Sequence, residues 1–357
     1  MEPKNDTNKI MNKFLSEILE QKKALKNTLS YFMSDEFNSV SKLKNKKFRH
    51  LIFTGMGSSN FSSQYSATLL NDLAYKVPSY SINTSELLHY QLNLITPDTL
   101  LICTSQSGES YEIKEILKKI NKNTECLGIT NEANSSLAHH SDTTLLIKAG
   151  KEEMTSTKTF VSSLLVSYLL GKSLTGMHPD KWIEDIKNVI NIFEFEHKTY
   201  LPKIQQMIDF LGDLPALVMI ARGPAQATAQ QTALMFKEGI KIAGFSMSGG
   251  EFRHGPMEMV QKGFKSIIWA PTGKTYRQNI KMAEDIIRFD GKVLLITNSD
   301  YQNDNPNIMI EKIPVTDEYL FAIASILPMQ LFVDQYAKNK GFEAGNFSRG
   351  AKITSIE

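Results

Sequence analysis

Apolar positions recur along the chain with two different periods. Ile10, Phe14, Ile18, Leu25 and Leu29 fall at helical spacing, which predicts an opening helix over residues 8–33. The polar stretch SDEFNSVSKLKNKKFRH that follows reads as a connection. From residue 50 onward, short apolar runs alternate with amphipathic ones. HLIFTG (50–55), LLIC (100–103), CLGIT (126–130) and TTLLIK (143–148) predict strands. Residues 60–74, 109–121 and roughly 157–172 predict helices, and NEANSS predicts a turn. Strands alternating with helices predict an α/β fold with a parallel sheet.

The pattern then repeats. LVMIARG (217–223) matches LIFTGMG at an offset of 166 residues. IIWAPTGKT (267–275) matches LICTSQSGE at the same offset, and LLITN (294–298) matches LGITN at 167. Three strand starts sharing one offset predict a duplicated α/β unit, with the boundary near 175–205.

Composition narrows the class. The 357 residues are 41% hydrophobic and 22% charged, a normal globular balance for a chain of one or two domains. A net charge of +2, with both signs interspersed, leaves no footprint for nucleic acid or an anionic membrane. The apolar run FVSSLLVSYLLG (160–171) is too short to span a bilayer and reads as a core helix. MEPKNDTNKI lacks the apolar core of a signal peptide. Cys103 and Cys126 lie in apolar runs and are expected as buried thiols in a reducing compartment, so the expected location is the cytoplasm. The histidines show no metal-ligand spacing, and neither a metal nor a cofactor is expected.

The chemistry concentrates in three places. In LLICTSQSGESYEIKEILKKI (100–120) an apolar strand ends in Thr104, Ser105, Gln106, Ser107, Gly108, Glu109 and Ser110 just where a helix starts. Unpaired N–H groups at a helix N-terminus, with hydroxyls beside them, form an anion site. Gly108 is expected to let the backbone approach the ligand closely. A single serine here would be an ordinary N-cap, but three serines and a glutamine favour the anion reading. The motif has no Lys or Arg, which suits a dianionic sugar phosphate. Two nucleotide motifs fail: GMGSSN (55–60) lacks the third glycine of a dinucleotide fingerprint, and PTGKT (271–275) has Ile268 where a Walker loop needs glycine. In the second half, Glu238 shares a helix face with Leu234, Met235 and Ile242, which reads equally as a carboxylate on a largely apolar stripe suited to proton transfer or as a residue that ends the helix and pairs with Lys237 or Lys241. His254, in GGEFRHGP, is flanked by glycines and a proline that predict a loop.

These motifs resemble those of the double sugar-isomerase (SIS) domain proteins, and among them the isomerase half of glucosamine-6-phosphate synthase. EILEQKKALKNTL (17–29) is similar to the helix before the first domain of that family, and TSQSGES to its phosphate loop. GKEEMTSTKTF (150–160) resembles its E-x-x-x-x-S-T-K segment, EFRHGPMEM its histidine loop, and AKITSIE its lysine-bearing tail. The resemblance implies two tandem SIS domains, each a parallel five-stranded sheet flanked by helices in a flavodoxin-like three-layer sandwich. It divides the chain into an N-terminal helical segment (1–45), a phosphosugar-binding domain (46–185), a catalytic domain (200–340) and a tail closing the site (341–357).

By the same resemblance, Ser59, Ser105, Gln106, Ser107 and Ser110 hold the sugar phosphate, with Gly57 and Ser58 beside them. Ser156 and the backbone near Met154 line the sugar, and Ala351 joins the substrate-binding set. Glu238 moves a proton between C1 and C2. His254, sixteen residues later, opens the sugar ring in a neighbouring subunit's site, which implies a homodimer. Lys352 sits against the open-chain carbonyl, by charge or by a Schiff base.

Three departures shape the functional expectation. The synthase has a glutaminase domain with a cysteine nucleophile ahead of its isomerase half, and this chain opens at the isomerase helix, so glutamine-driven synthesis is not expected. Met235 stands where the synthase-like family has a lysine, a feature of relatives that cleave fructosyl-amino-acid phosphates. Arg349 lies three residues before Lys352, where the synthase tail has four. The first expectation is an enzyme that isomerises and deaminates a hexosamine 6-phosphate. The second is a deglycase that splits an amino acid from a sugar 6-phosphate. The third is a sugar-phosphate sensor without catalysis, disfavoured because both Glu238 and His254 are present.

Overall fold

The computed structural model describes residues 12–34, 40–44, 46–347, 349 and 352. Two helices open it, α1 (Lys13–Leu19) and α2 (Gln21–Phe32), broken at Glu20 where a single helix is predicted; residues 8–11 of that prediction lie outside the described residues. Then come β1 (His50–Gly55), α3 (Ser58–Asp72), β2 (Ser79–Asn83), α4 (Thr84–Tyr90), β3 (Thr99–Thr104) and α5 (Tyr111–Lys119). They are followed by β4 (Glu125–Thr130), α6 (Ser136–His140), β5 (Thr143–Leu146) and α7 (Lys158–Leu174). Helices α8 (Ile183–Ile192) and α9 (His197–Leu211) lead to the second half. That half runs β6 (Ala216–Ala221), α10 (Ala225–Ile240), β7 (Ala243–Ser248), α11 (Gly249–Arg253), β8 (Lys265–Ala270) and α12 (Tyr276–Arg288). It ends with β9 (Lys292–Thr297), β10 (Ile308–Lys312), α13 (Glu318–Ala324) and α14 (Leu327–Asn339).

The strands form two parallel five-stranded sheets, β2-β1-β3-β4-β5 and β10-β9-β8-β6-β7. Read from the other edge, the second order is β7-β6-β8-β9-β10, the same path as the first. Alternate residues of each strand face opposite cores. Leu51, Phe53, Leu100 and Ile102 pack into one large core shared with Leu217, Met219, Ile267 and Trp269 of the second sheet. Ile52, Leu101 and Cys103 face a smaller core under α4 and α5, and Val218, Ile220 and Ile268 face one under α12. Helices therefore lie between the sheets and on both outer faces.

The layer between the sheets is the most apolar. α7 is buried along nearly its whole length. Among the described residues one stretch, Glu318–Asn339, is apolar and long enough to cross a membrane; 94% of its most apolar window is buried, as befits a core element. Gln21 and Gln330, both fully buried, exchange reciprocal hydrogen bonds of 2.8 and 2.9 Å and tie α2 to α14. Both cysteines are buried free thiols with no disulfide between them.

Candidate active site

In each sheet the strand order switches sides between the first and third strands laid down, and ligands of open α/β sheets bind at such a switch point. In the first sheet this lies between β1 and β3, where Thr54 pairs with Cys103 and the two carboxyl ends emerge side by side. Gly57 then turns the chain into α3 at φ 51°, a conformation suited to glycine, and no side chain caps that helix. After β3, Ser110 stands at the N-cap of α5 but makes no capping bond; its Oγ lies 3.2 Å from Ser105 Oγ instead. The ordinary capping account of this serine therefore fails. Two helix N-termini open towards one space with hydroxyls around them.

Gly108 has a different role from the one expected. It adopts φ 65°, and a Cβ there would lie 2.1 Å from Ser135 Oγ. It packs the loop against the β4–α6 connection and does not line the cavity, so it is required for the turn and for close packing.

The second half reaches this space because α10 packs against α3. Glu238, near the end of α10, is half-buried and accepts a hydrogen bond from Thr155 Oγ1. The expected apolar stripe splits on folding. Leu234 faces the same space as Glu238, Met235 is fully buried in the core, and Ile242 lies beyond the helix, which ends in the left-handed turn at Lys241. The tail contributes Lys352. Its Nζ donates to Glu152 Oε2 at 2.7 Å and to the Met154 carbonyl at 2.5 Å. Glu152 also accepts from Thr157 N at 2.9 Å, Thr159 N at 3.1 Å and Thr159 Oγ1 at 2.5 Å. Burial opposes its charge, but Lys352 and these donors outweigh it and hold the carboxyl below its ordinary range.

The result is a cavity of about 310 Å³. Of the residues expected at the site, Gly57, Ser58, Ser59, Ser105, Gln106, Ser107, Ser110, Ser156, Glu238 and Lys352 line it. Met154 is buried beneath and enters through its carbonyl. His254 does not line the cavity; it is exposed on its loop after α11. Ala351 lies outside the described residues.

The structure adds Met56, Thr104, Glu112, Leu234 and Phe347 to the lining. It also adds the supporting groups Glu152 and Thr155. Thr155 and Glu152 sit in a motif visible in the sequence, but their partners are 83 and 200 residues away. Among the described residues no cluster of three or more His, Cys, Asp or Glu side chains could hold a metal.

Residues 42–173 match the model of the SIS domain family. This stretch is similar to a SIS domain. It contains the loop after β1, the hydroxyl-rich loop after β3 and the 152–156 segment, while Glu238, His254 and Lys352 come from outside it. Over nearly its whole length the chain is similar to the isomerizing glutamine–fructose-6-phosphate aminotransferase of Pyrococcus horikoshii, at 29% identity over 348 residues. That match covers 96% of this chain and 57% of the relative, so the chain spans under two thirds of that protein's length. Among solved structures, it is similar to the C-terminal domain of glucosamine-fructose-6-phosphate aminotransferase from Francisella tularensis, with a TM-score of 0.84, 24% identity and coverage of 96% of this chain and 99% of that one. It is also similar to glucosamine-6-phosphate deaminase from Thermotoga maritima, with a TM-score of 0.75, 21% identity and coverage of 96% and 99%. At these identities the two structures show a shared fold.

Proposed function

We propose that this chain is a phosphosugar isomerase and deaminase that converts an amino-sugar 6-phosphate and water to a ketose 6-phosphate and ammonia through an enediol or enolamine. The supporting observation is the convergence, in one cavity, of an uncapped hydroxyl-rich loop with a carboxylate and an ammonium from distant parts of the chain. The phosphate would sit among Ser59, Ser105, Gln106, Ser107 and Ser110, held by hydroxyls and N–H groups without a cation. Glu238 would carry one proton between adjacent carbons, as aldose–ketose interconversion requires. The Lys352 ammonium would offset negative charge developing on the substrate oxygen. Its pairing with Glu152 supports the charge role over a Schiff base. We read the second sheet, with the same strand path as the first, as a second SIS unit. His254, absent from its own chain's cavity, would serve the site of a second copy, which makes the working unit a homodimer.

Met235 favours one second reading. Full burial removes it from the cavity, and it supplies no cation for an amino group. A deglycase that releases an amino acid from a sugar 6-phosphate needs the same proton transfer with a larger leaving amine.

Incubation with glucosamine 6-phosphate and, separately, fructoselysine 6-phosphate, followed by NMR, separates the two. Ammonia and fructose 6-phosphate from the first support the deaminase, and lysine and glucose 6-phosphate from the second support the deglycase. Glu238→Gln should abolish turnover while leaving sugar-phosphate binding in place. Normal turnover in that variant, or binding without turnover of either compound by the wild type, sinks the catalytic reading.

A further inference from the structure

The 152–156 segment touches both Glu238 and Lys352, the two groups that come to the cavity from outside the matched domain. Glu152 and the Met154 carbonyl receive Lys352, and Thr155 Oγ1 donates to Glu238. Ser156 lines the cavity, and its carbonyl accepts from Gln231 of α10 at 3.0 Å. The segment has no strand or helix hydrogen bonds of its own, so something else must hold it.

That support comes from the far N-terminal side. Glu17 of α1 accepts from the Glu153 N–H at 2.5 Å and from the Met154 N–H, with oxygens at 3.3 and 3.4 Å. It is 6% exposed and does not line the cavity. Its own helix is fixed, because the Asn12 side chain caps α1 and also donates to Asp334 of α14 at 2.7 Å. Two adjacent N–H donors suit a carboxylate, since both its oxygens accept; a glutamine would turn a donor towards one of them.

We propose that Glu17 is a positioning residue for this site: by clamping the backbone of Glu153 and Met154 it holds the segment that presents Glu152 and Met154 O to Lys352 and Thr155 to Glu238. This rests on the roles given above to Glu238 and Lys352. The electrostatics add a pH dependence. Burial pushes the Glu17 carboxyl up to about 7; the Glu153 and Met154 N–H groups and Lys352 oppose this rise, and Glu152 adds to it. The charged groups around it are Lys13 on its own helix, Glu152 and Glu153 on the segment, and Glu343 and Lys352 from the tail. Only the ionised form offers acceptors to both N–H groups without a proton between them, so the clamp tightens as pH rises through that range.

Glu17→Gln and Glu17→Ala, made in the full chain, test the proposal. Amide hydrogen exchange at 153 and 154 should quicken in both, while the 105–110 loop stays unchanged. In Glu17→Ala, kcat should fall roughly tenfold to a hundredfold, as displacement of reacting groups does, with KM within about twofold of wild type. Glu17→Gln should retain more of kcat and should lack the rise in activity near pH 7. Unchanged exchange at 153–154 overturns the clamp, and quickened exchange with unchanged kcat overturns the positioning role. If the wild type turns over no sugar phosphate, the functional reading above fails, and the exchange comparison alone still decides whether Glu17 holds the segment.

Discussion

Ser110 occupies a capping position and does not cap, so its hydroxyl lacks the ordinary structural duty of that position. Ser110→Ala should leave thermal stability nearly unchanged, because no cap bond is lost. Binding of inorganic phosphate or a sugar phosphate, measured by calorimetry, should weaken roughly tenfold to a hundredfold, the value of one hydrogen bond to a charged group. A drop in melting temperature with unchanged affinity would reverse the assignment. Glu17 gives a second test, on stability. Its folded value of about 7 lies above the ordinary 4.5. Between those pH values the unfolded chain has released the proton and the folded chain has kept it, so the unfolded state binds fewer protons and stability falls as pH rises. The contribution is fully present below about 4.5 and gone above about 7. Melting curves of Glu17→Gln and wild type should therefore diverge in favour of the variant across this window and run parallel on either side. Parallel curves throughout would place Glu17 in a more polar environment than the fold shows.

At the scale of elements, the sequence pattern finds the central strands and misses three others. β2, β7 and β10 all lie at sheet edges. Their sequences, SYSIN, AGFSMS and IMIEK, are only partly buried and carry no continuous apolar run. β5 is also an edge strand, but TTLLIK is apolar enough to show. The five-residue helix α6 starts at the last residue of the predicted turn NEANSS and goes unpredicted because it is too short to display a period. Gly108 illustrates how a loop's conformation escapes the pattern. Gly108→Ala should destabilise the fold by about 1–3 kcal/mol, the usual cost of a strained backbone position, because the new Cβ meets Ser135 at a positive φ. Chemical denaturation measures this directly, and an unchanged midpoint would mean that the loop relaxes without cost.

At the scale of the whole molecule, the site is a product of assembly. α10 lies against α3, the tail folds back onto Glu152, and α1 holds the segment between them. The exposed His254 extends the question to a second copy of the chain. A mixture of Glu238→Gln and His254→Ala protomers, each inactive alone, should regain activity when hybrid dimers form. In the hybrid, one site then has both wild-type groups and the other has neither. If His254 instead served its own chain, every hybrid site would carry one defect, and mixing would restore nothing.

The sequence by itself determined the alternation of strands and helices, the duplicated offset and the hydroxyl-rich loop. These are local or periodic signals, and the physical rules behind them act over a few residues. It did not determine that Met235 turns to the core while Leu234 faces the cavity, or that Gly108 serves packing. Nor did it show that Glu17 holds the 153–154 backbone, that Glu152 holds Lys352 or that Thr155 bonds to Glu238. Those partners lie 83 to 200 residues apart along the chain. A hydrogen bond at that separation exists only once two sheets have packed around a common core, so only the tertiary structure could decide it.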